Sequence, residues 1–204
     1  RPRLEADQLL GTFNALLRIA RLETGGKTVD NQPVDLATLT TDAVELYEAL
    51  AEEKEQALDL SAPEPVTIKG DRDLLFQVVS NLIDNAIKYT DEGGRIRVSV
   101  SRDDDHAVVE VADSGDGVPD HEKDKIFERF YRVGKSRSHP GNGLGLSLVS
   151  AVVDMHDGRI DLQDADPEAE RPGLCVVIRF PAEPEPAERL PREDASQARL
   201  EQQG

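Results

Sequence analysis

Cysteine is nearly missing from this chain. Cys175 is the only one in 204 residues, so no internal disulfide can form. Its setting, GLCVVIRF, reads as a small residue in a buried strand rather than a reactive thiol. Positive charge is scarce as well. Twenty-four Lys and Arg stand against 41 Asp and Glu, a formal net charge of −17. That balance argues against nucleic-acid binding, which needs a basic face. Long apolar runs are also absent: nothing approaches the roughly 20 residues of a membrane helix, and there is no signal-peptide pattern. The chain opens on Arg1 rather than methionine, so a fragment of a longer protein is expected.

What is present suffices for one domain and an appendage. LEADQLLGTFNALLRIARLETGG carries Leu9, Leu10, Phe13, Leu16, Leu17 and Ala20 at helical spacing and closes on Gly25 and Gly26. A link over residues 27–34 leads to a second helical run through Leu36, Leu39, Ala43, Leu46, Tyr47 and Leu50. DLSAPEPVTIKGD reads as extended segments around a proline-marked turn. A third helix is predicted from Asp71 to Tyr89, with Asp71 as N-cap. GGRIRVSVSRDDDHAVVEVADSG is the clearest hairpin, its turn at DDD, and GRIDLQ with GLCVVIRFP makes a later strand pair. The residues from 182 on, rich in Pro, Glu and Ala, predict a disordered tail. Helices segregated from hairpin strands predict an α+β fold, a sheet with helices on one face.

Four stretches carry chemistry. GNGLGLSLV, residues 141–149, has the spacing of a dinucleotide fingerprint, but that motif follows a buried strand, and here RFYRVGKSRSHP precedes it. A nest of backbone amides opening a helix still makes a phosphate site. NLIDNAIKYT, residues 81–90, puts Asn81 and Asn85 on one helix face with Lys88 and Tyr89 a turn on. A carboxamide oxygen suits Mg²⁺ and a lysine suits phosphate, although an ordinary polar helix face could also hold two asparagines. DSGDGVPD places Asp113 at a strand end before Gly115 and Gly117. That is an acceptor for an exocyclic amine such as adenine's, and also common turn chemistry. KIFERFYRV gathers Phe127, Phe130 and Tyr131. They either anchor a loop or hinge a lid whose Arg132, Lys135 and Arg137 face negative charge.

In this order the four stretches resemble the catalytic and ATP-binding domain of two-component sensor histidine kinases, within the superfamily of gyrase, heat-shock chaperone and mismatch-repair ATPases. NLIDNAIKYT resembles the family's asparagine box, DSGDG and GNGLG its glycine boxes, and FERFYR its phenylalanine box, over residues 35–181. The resemblance implies a two-layer α/β sandwich of the Bergerat type, with a mixed sheet. It implies ATP and Mg²⁺ as ligands, with Asn85 holding the metal and Asn81 beside the phosphates. Lys88 and Arg132 would meet phosphate, Tyr89 would flank the nucleotide, and Asp113, with Gly115 and Gly117, would select adenine. Gly141, Gly143, Leu144 and Gly145 would close the lid. The helix of residues 1–26 resembles the second helix of a dimerisation and phosphotransfer hairpin. A homodimer through that hairpin, a response-regulator receiver domain as partner, and a cytoplasmic position under an inner-membrane parent are implied likewise.

One departure matters. The family's acceptor histidine lies in a segment like His-Glu/Asp-Leu-Arg-Thr-Pro-Leu, and none exists here. His106, His121, His139 and His156 sit elsewhere and read as solvated or structural. The expectation is a chain that binds Mg²⁺-ATP and presents the γ-phosphate but cannot autophosphorylate alone, with no catalytic acceptor of its own. A serine kinase of the anti-sigma-factor type and a nucleotide-switched binding module share these boxes and stand as rivals. A gyrase-type ATPase is disfavoured, since no coupling domain follows.

Overall fold

A computed structural model describes residues 31–133 and 143–184. The expected helix of residues 1–26, Lys135, Arg137, His139 and Gly141, and nearly all of the acidic tail lie outside the described residues. Within them, side-chain acceptors mark the starts of the two longest helices. Asp35 ends strand β1 (Gln32–Asp35) and caps helix α1 (Leu36–Glu53). Its carboxylate accepts from the Ala37 N–H at 3.1 Å, the Thr38 hydroxyl at 2.6 Å and the Val66 N–H at 3.1 Å. The link expected over 27–34 therefore contributes a strand in its described part. β1 pairs antiparallel with β3 (Thr67–Gly70), with Val34 opposite Ile68.

Asp71 caps helix α2 (Arg72–Tyr89) as expected, accepting from the N–H groups of Asp73 and Leu74 at 3.0 and 3.1 Å. One stripe of α2 is buried: Leu74, Leu75, Val78, Val79, Leu82, Ile83, Ala86 and Ile87. Each large member contributes about 1.5–3 kcal/mol by leaving water. Burying these positions leaves positions 81, 84, 85 and 88 on the other side of the helix, by the 3.6-residue period.

That stripe packs on a five-stranded sheet of β2 (Ala57–Ser61), β4 (Arg95–Asp103), β5 (His106–Asp113), β6 (Arg159–Gln163) and β7 (Cys175–Pro181). The spatial order is β2-β4-β5-β7-β6. β2 runs parallel to β4, and the other pairings are antiparallel. Ile96, Val98 and Val100 of β4 share one core with α1, α2 and helix α4 (Gly145–Met155), whereas Arg95, Arg97 and Ser101 between them are exposed. The result is the mixed-sheet, two-layer α+β architecture that was expected. The hairpin turn is shorter than the DDD reading: Asp103 ends β4, Asp104 adopts φ +50°, and His106 already opens β5. Among the described residues between β5 and α4 are a short helix α3 (Asp120–Lys123) and a 3-10 turn (Asp124–Phe127). At the far edge, Ala182 bridges to Ile68, which joins the small ribbon to the end of β7.

His156 closes the helical layer. Its Nε2 accepts the Asp71 N–H at 3.0 Å, so Nδ1 carries the proton and donates to the Val152 carbonyl at 2.7 Å. The ring is buried and meets Phe180 edge-on at 6.2 Å. One neutral imidazole thus ties the end of α4 to the start of α2. Replacing it leaves a hole and unpaired backbone groups, so His156→Ala should lower unfolding stability by about 2–4 kcal/mol in a denaturant titration. A loss below about 0.5 kcal/mol would mean the tie carries no weight.

Candidate functional site

The site forms where α4 starts against the exposed side of α2. Asn81 and Asn85 face Gly145: a Cβ built there would lie 3.7 Å from Asn81 Oδ1 and 3.8 Å from Asn85 Nδ2. A methyl group would fit there in ordinary van der Waals contact. Among the described residues the buried Nδ2 of Asn81 has no hydrogen-bond partner, nor has the Oγ of its neighbour Ser80. An unpaired buried polar atom is costly unless a ligand or water meets it. Leu144 sits at the N-cap of α4 and offers no side-chain acceptor to the first turn. Its uncapped amides, with the positive end of the helix dipole, suit an anion.

Gly143, at φ +65°, shapes the approach to this helix start. A Cβ there would come within 2.9 Å of the Phe130 and Tyr131 backbone, and its carbonyl accepts the Phe130 N–H at 2.9 Å. The phenylalanine stretch therefore lies directly on the last glycine stretch. Tyr131 donates its hydroxyl to Glu122 at 3.0 Å, while the Phe130 ring is 58% exposed. Arg132 is half-buried beside them. Lys88 differs from the simple expectation: its ammonium pairs with Asp84 one turn back on α2, so a phosphate would have to compete for it.

Asp113 forms the other end. It terminates β5, and its Oδ1 accepts from the Gly115 N–H at 2.8 Å and the Leu174 N–H at 3.4 Å. Among the described residues Oδ2 accepts nothing and is left for a donor. Burial pushes the Asp113 carboxyl above its ordinary range, against the lowering effect of those two amides and of Arg171. Gly115 packs on the Tyr89 carbonyl, 2.3 Å from where its Cβ would stand, so the end of α2 and the Asp113 loop are in contact. Lys54 and Gln56 anchor that end of α2 by donating to the Ile87 carbonyl at 2.7 and 3.1 Å, and Gln56 also to Thr90 at 2.7 Å. From Asn81 to Tyr89, α2 rises about 12 Å, a span suited to phosphates at one end and a base at the other.

Gly173 escaped the sequence reading. At φ +64° its Cβ would stand 1.9 Å from the Asp113 carbonyl oxygen, and Gly117, at φ +73°, packs on it in turn. The Pro172-Gly173 pair was the available signal, a turn dipeptide whose partner could not be known. Arg171 escaped too. Among the described residues no three His, Cys, Asp or Glu side chains cluster as metal ligands. A metal here would therefore ride on a ligand's own oxygens with help from a carboxamide such as that of Asn85.

Comparison with known proteins follows the same lines. A family profile described as histidine kinase-, DNA gyrase B- and HSP90-like ATPase matches residues 70–184. The probable sensor histidine kinase TcrY of Mycobacterium tuberculosis is 37% identical over 191 residues, 92% of this chain and 39% of its own length. The signal transduction histidine-protein kinase BaeS of Escherichia coli is 34% identical over 183 residues, 88% of this chain and 38% of its own. The chain thus spans under two fifths of these relatives. Among solved structures, a mycobacterial sensor histidine kinase, MprB, superposes with TM-score 0.67 at 33% identity, covering 76% of this chain and 99% of that one. Full-length ShkA in complex with AMPPNP superposes at 0.76 with 29% identity, over 88% of this chain and 37% of that one.

The Asp113 environment yields a stability test. A carboxyl raised in the folded state favours folding while protonated, and that contribution is lost as pH rises from the ordinary 3.8 through the raised value. Asp113→Asn should therefore melt no lower than the unsubstituted chain at about pH 7, with the two curves converging in acid where both groups are neutral. A lower melting temperature at neutral pH would show that the ionised carboxylate is structural.

Proposed function

The chain belongs to the histidine kinase-, DNA gyrase B- and HSP90-like ATPase family, and on that premise we propose that it is the ATP-binding kinase part of a two-component sensor histidine kinase. The observation that carries the reading is the seam at Gly145, where Asn81 Oδ1 and Asn85 Nδ2 lie against a helix start without a side-chain cap, and where the buried Asn81 Nδ2 has no partner among the described residues. ATP places its phosphates there and its adenine at Asp113, whose Oδ2 accepts the exocyclic amine. Gly115 and Gly117 keep that wall low for the ring, and Tyr89 flanks it. Asn85 supplies a carboxamide oxygen to Mg²⁺, which when bound neutralises charge between the phosphates. Asn81 donates to phosphate, Lys88 joins by leaving Asp84, and Arg132 approaches from the phenylalanine stretch. Gly143, Leu144 and Gly145 form an edge beside the phosphates. The family relation and the AMPPNP held by ShkA support this reading.

The phosphoryl group goes to a histidine on another helix. The acceptor nitrogen forms its bond to the γ-phosphorus as the bond to the β,γ-bridging oxygen breaks and ADP leaves. No described histidine serves: His156 is buried in its structural tie, and His106 and His121 lie at the start of β5 and on α3. The acceptor histidine belongs to the first helix of the hairpin whose second helix is expected at residues 1–26, and a receiver-domain aspartate takes the phosphoryl group onward. Among the described residues no helix is long and apolar enough to cross a membrane; we place this part on the cytoplasmic side of a membrane-anchored protein.

Incubation with γ-labelled Mg²⁺-ATP should give acid-labile, alkali-stable label only on a separately added acceptor helix. Such label on this chain alone, or acid-stable label on either, would overturn the assignment. Gly145→Ala should leave unfolding stability within about 1 kcal/mol, because the methyl has room. It should weaken ATP binding at least about tenfold in calorimetry, because the same methyl fills the phosphate space. Unchanged binding would place the phosphates elsewhere.

A further inference from the structure

Arg171 lies on the connection between β6 and β7, and its side chain touches both walls at the base end of the site. Its Nε donates to Asp116 at 2.8 Å, and its Nη1 pairs with Asp91. Asp116 sits between Gly115 and Gly117 on the Asp113 loop. Asp91 stands two residues beyond Tyr89, where α2 ends. These partners are 55 and 80 positions away in the chain. The backbone that carries Arg171 is itself zipped to Asp113. The Asp113 N–H donates to Leu174 at 2.9 Å, the Gly173 N–H donates to Gly115 at 3.1 Å, and Gly173 packs on the Asp113 carbonyl.

We propose that Arg171 is a positioning residue for the adenine end of the nucleotide site: its forked guanidinium locks the Asp113 loop to the end of α2 and keeps a cation beside the buried Asp113 carboxylate. This rests on the reading of Asp113 as the acceptor of the adenine amine. A planar fork can hold two carboxylates in fixed relation where an ammonium cannot. Among the described residues, the charged and titratable groups tied to Asp113 are Arg171 on the β6–β7 connection, Asp116 and Asp91 through that guanidinium, and Cys175 on β7. Arg95 of β4 is turned toward Asp59 at 3.9 Å. Arg171 is thus the cation that offsets three neighbouring carboxylates. Among these groups it is the one that draws the Asp113 carboxyl down against burial. Without it, Asp113 protonates at higher pH, and a protonated carboxyl no longer accepts the amine as an anion.

The test measures ATP and GTP affinity of the full chain by calorimetry between about pH 5 and about pH 8, with melting temperature to confirm folding. Arg171→Met should weaken ATP binding about fivefold at neutral pH and move the acid limb of binding to higher pH. Arg171→Lys, which keeps the charge without the fork, should return the limb toward its original position but only part of the affinity. Asp91→Asn with Asp116→Asn frees the guanidinium while keeping it, and should weaken ATP without raising the limb. A folded Arg171→Met chain with unchanged affinity and an unmoved limb overturns the proposal. If that variant does not fold, the double asparagine variant decides: lost affinity supports the clamp and full affinity overturns it. Asp113→Ala separates the two layers. If it binds ATP normally, the reading of Asp113 falls and the clamp with it. If it abolishes binding while Arg171→Met changes nothing, only the clamp falls.

Discussion

Everything at the site depends on which face of α2 is buried. Eight apolar residues from Leu74 to Ile87 lie against the sheet and the other helices, and a 3.6-residue period then turns Asn81, Asp84, Asn85 and Lys88 the other way. α4 packs beside α2 with its own apolar residues Leu148, Val149, Val152 and Val153 in the same core. The uncapped start of α4 is thereby carried to the asparagines. A hydrophobic requirement thus positions polar chemistry that contributes nothing to the core. The cost is visible as the unpaired Asn81 amide, a group the fold leaves unsatisfied and a ligand can satisfy.

The two ends of the site are held by different means. The end proposed for the phosphates is held by helix packing, with His156 tying the end of α4 to the Asp71 cap. The base end is held by loops and must be held more deliberately. Glycines at 115, 117 and 173 let three backbones approach closer than any side chain would allow. Asp113 sits among them as a carboxyl pushed up by burial. Such a group costs stability when ionised, which is tolerable if its charge is what recognises the ligand.

Local chemistry made much of this legible in the sequence. The Asp71 cap, the extent of α2 and the alternation of Ile96, Val98 and Val100 are signals contained within a few residues, and the structure has them where expected. The order of the asparagine and glycine stretches is what resembles the family, and the structure brings Asn81 and Asn85 against Gly145 and Tyr89 against Gly115. What stayed hidden was long-range. β1 reads as a link because its partner, β3, lies more than thirty residues on, and Pro33 obscures it. Gly173 reads as a turn until Asp113 is placed against it. The pairing of Lys88 with Asp84 was visible as an i, i+4 spacing, but the same lysine was also claimed by phosphate, and spacing alone does not rank the two.

The most direct test of the central claim is an NMR titration of the ¹⁵N-labelled chain with Mg²⁺-ATP that follows the side-chain amides of Asn81 and Asn85. If the seam between α2 and α4 takes the phosphates, both pairs of amide signals move, with the same dissociation constant as the backbone amides of Gly115 and Gly145. If ATP binds while both side-chain amides stay unmoved, the phosphates lie elsewhere and the seam is only a packing interface.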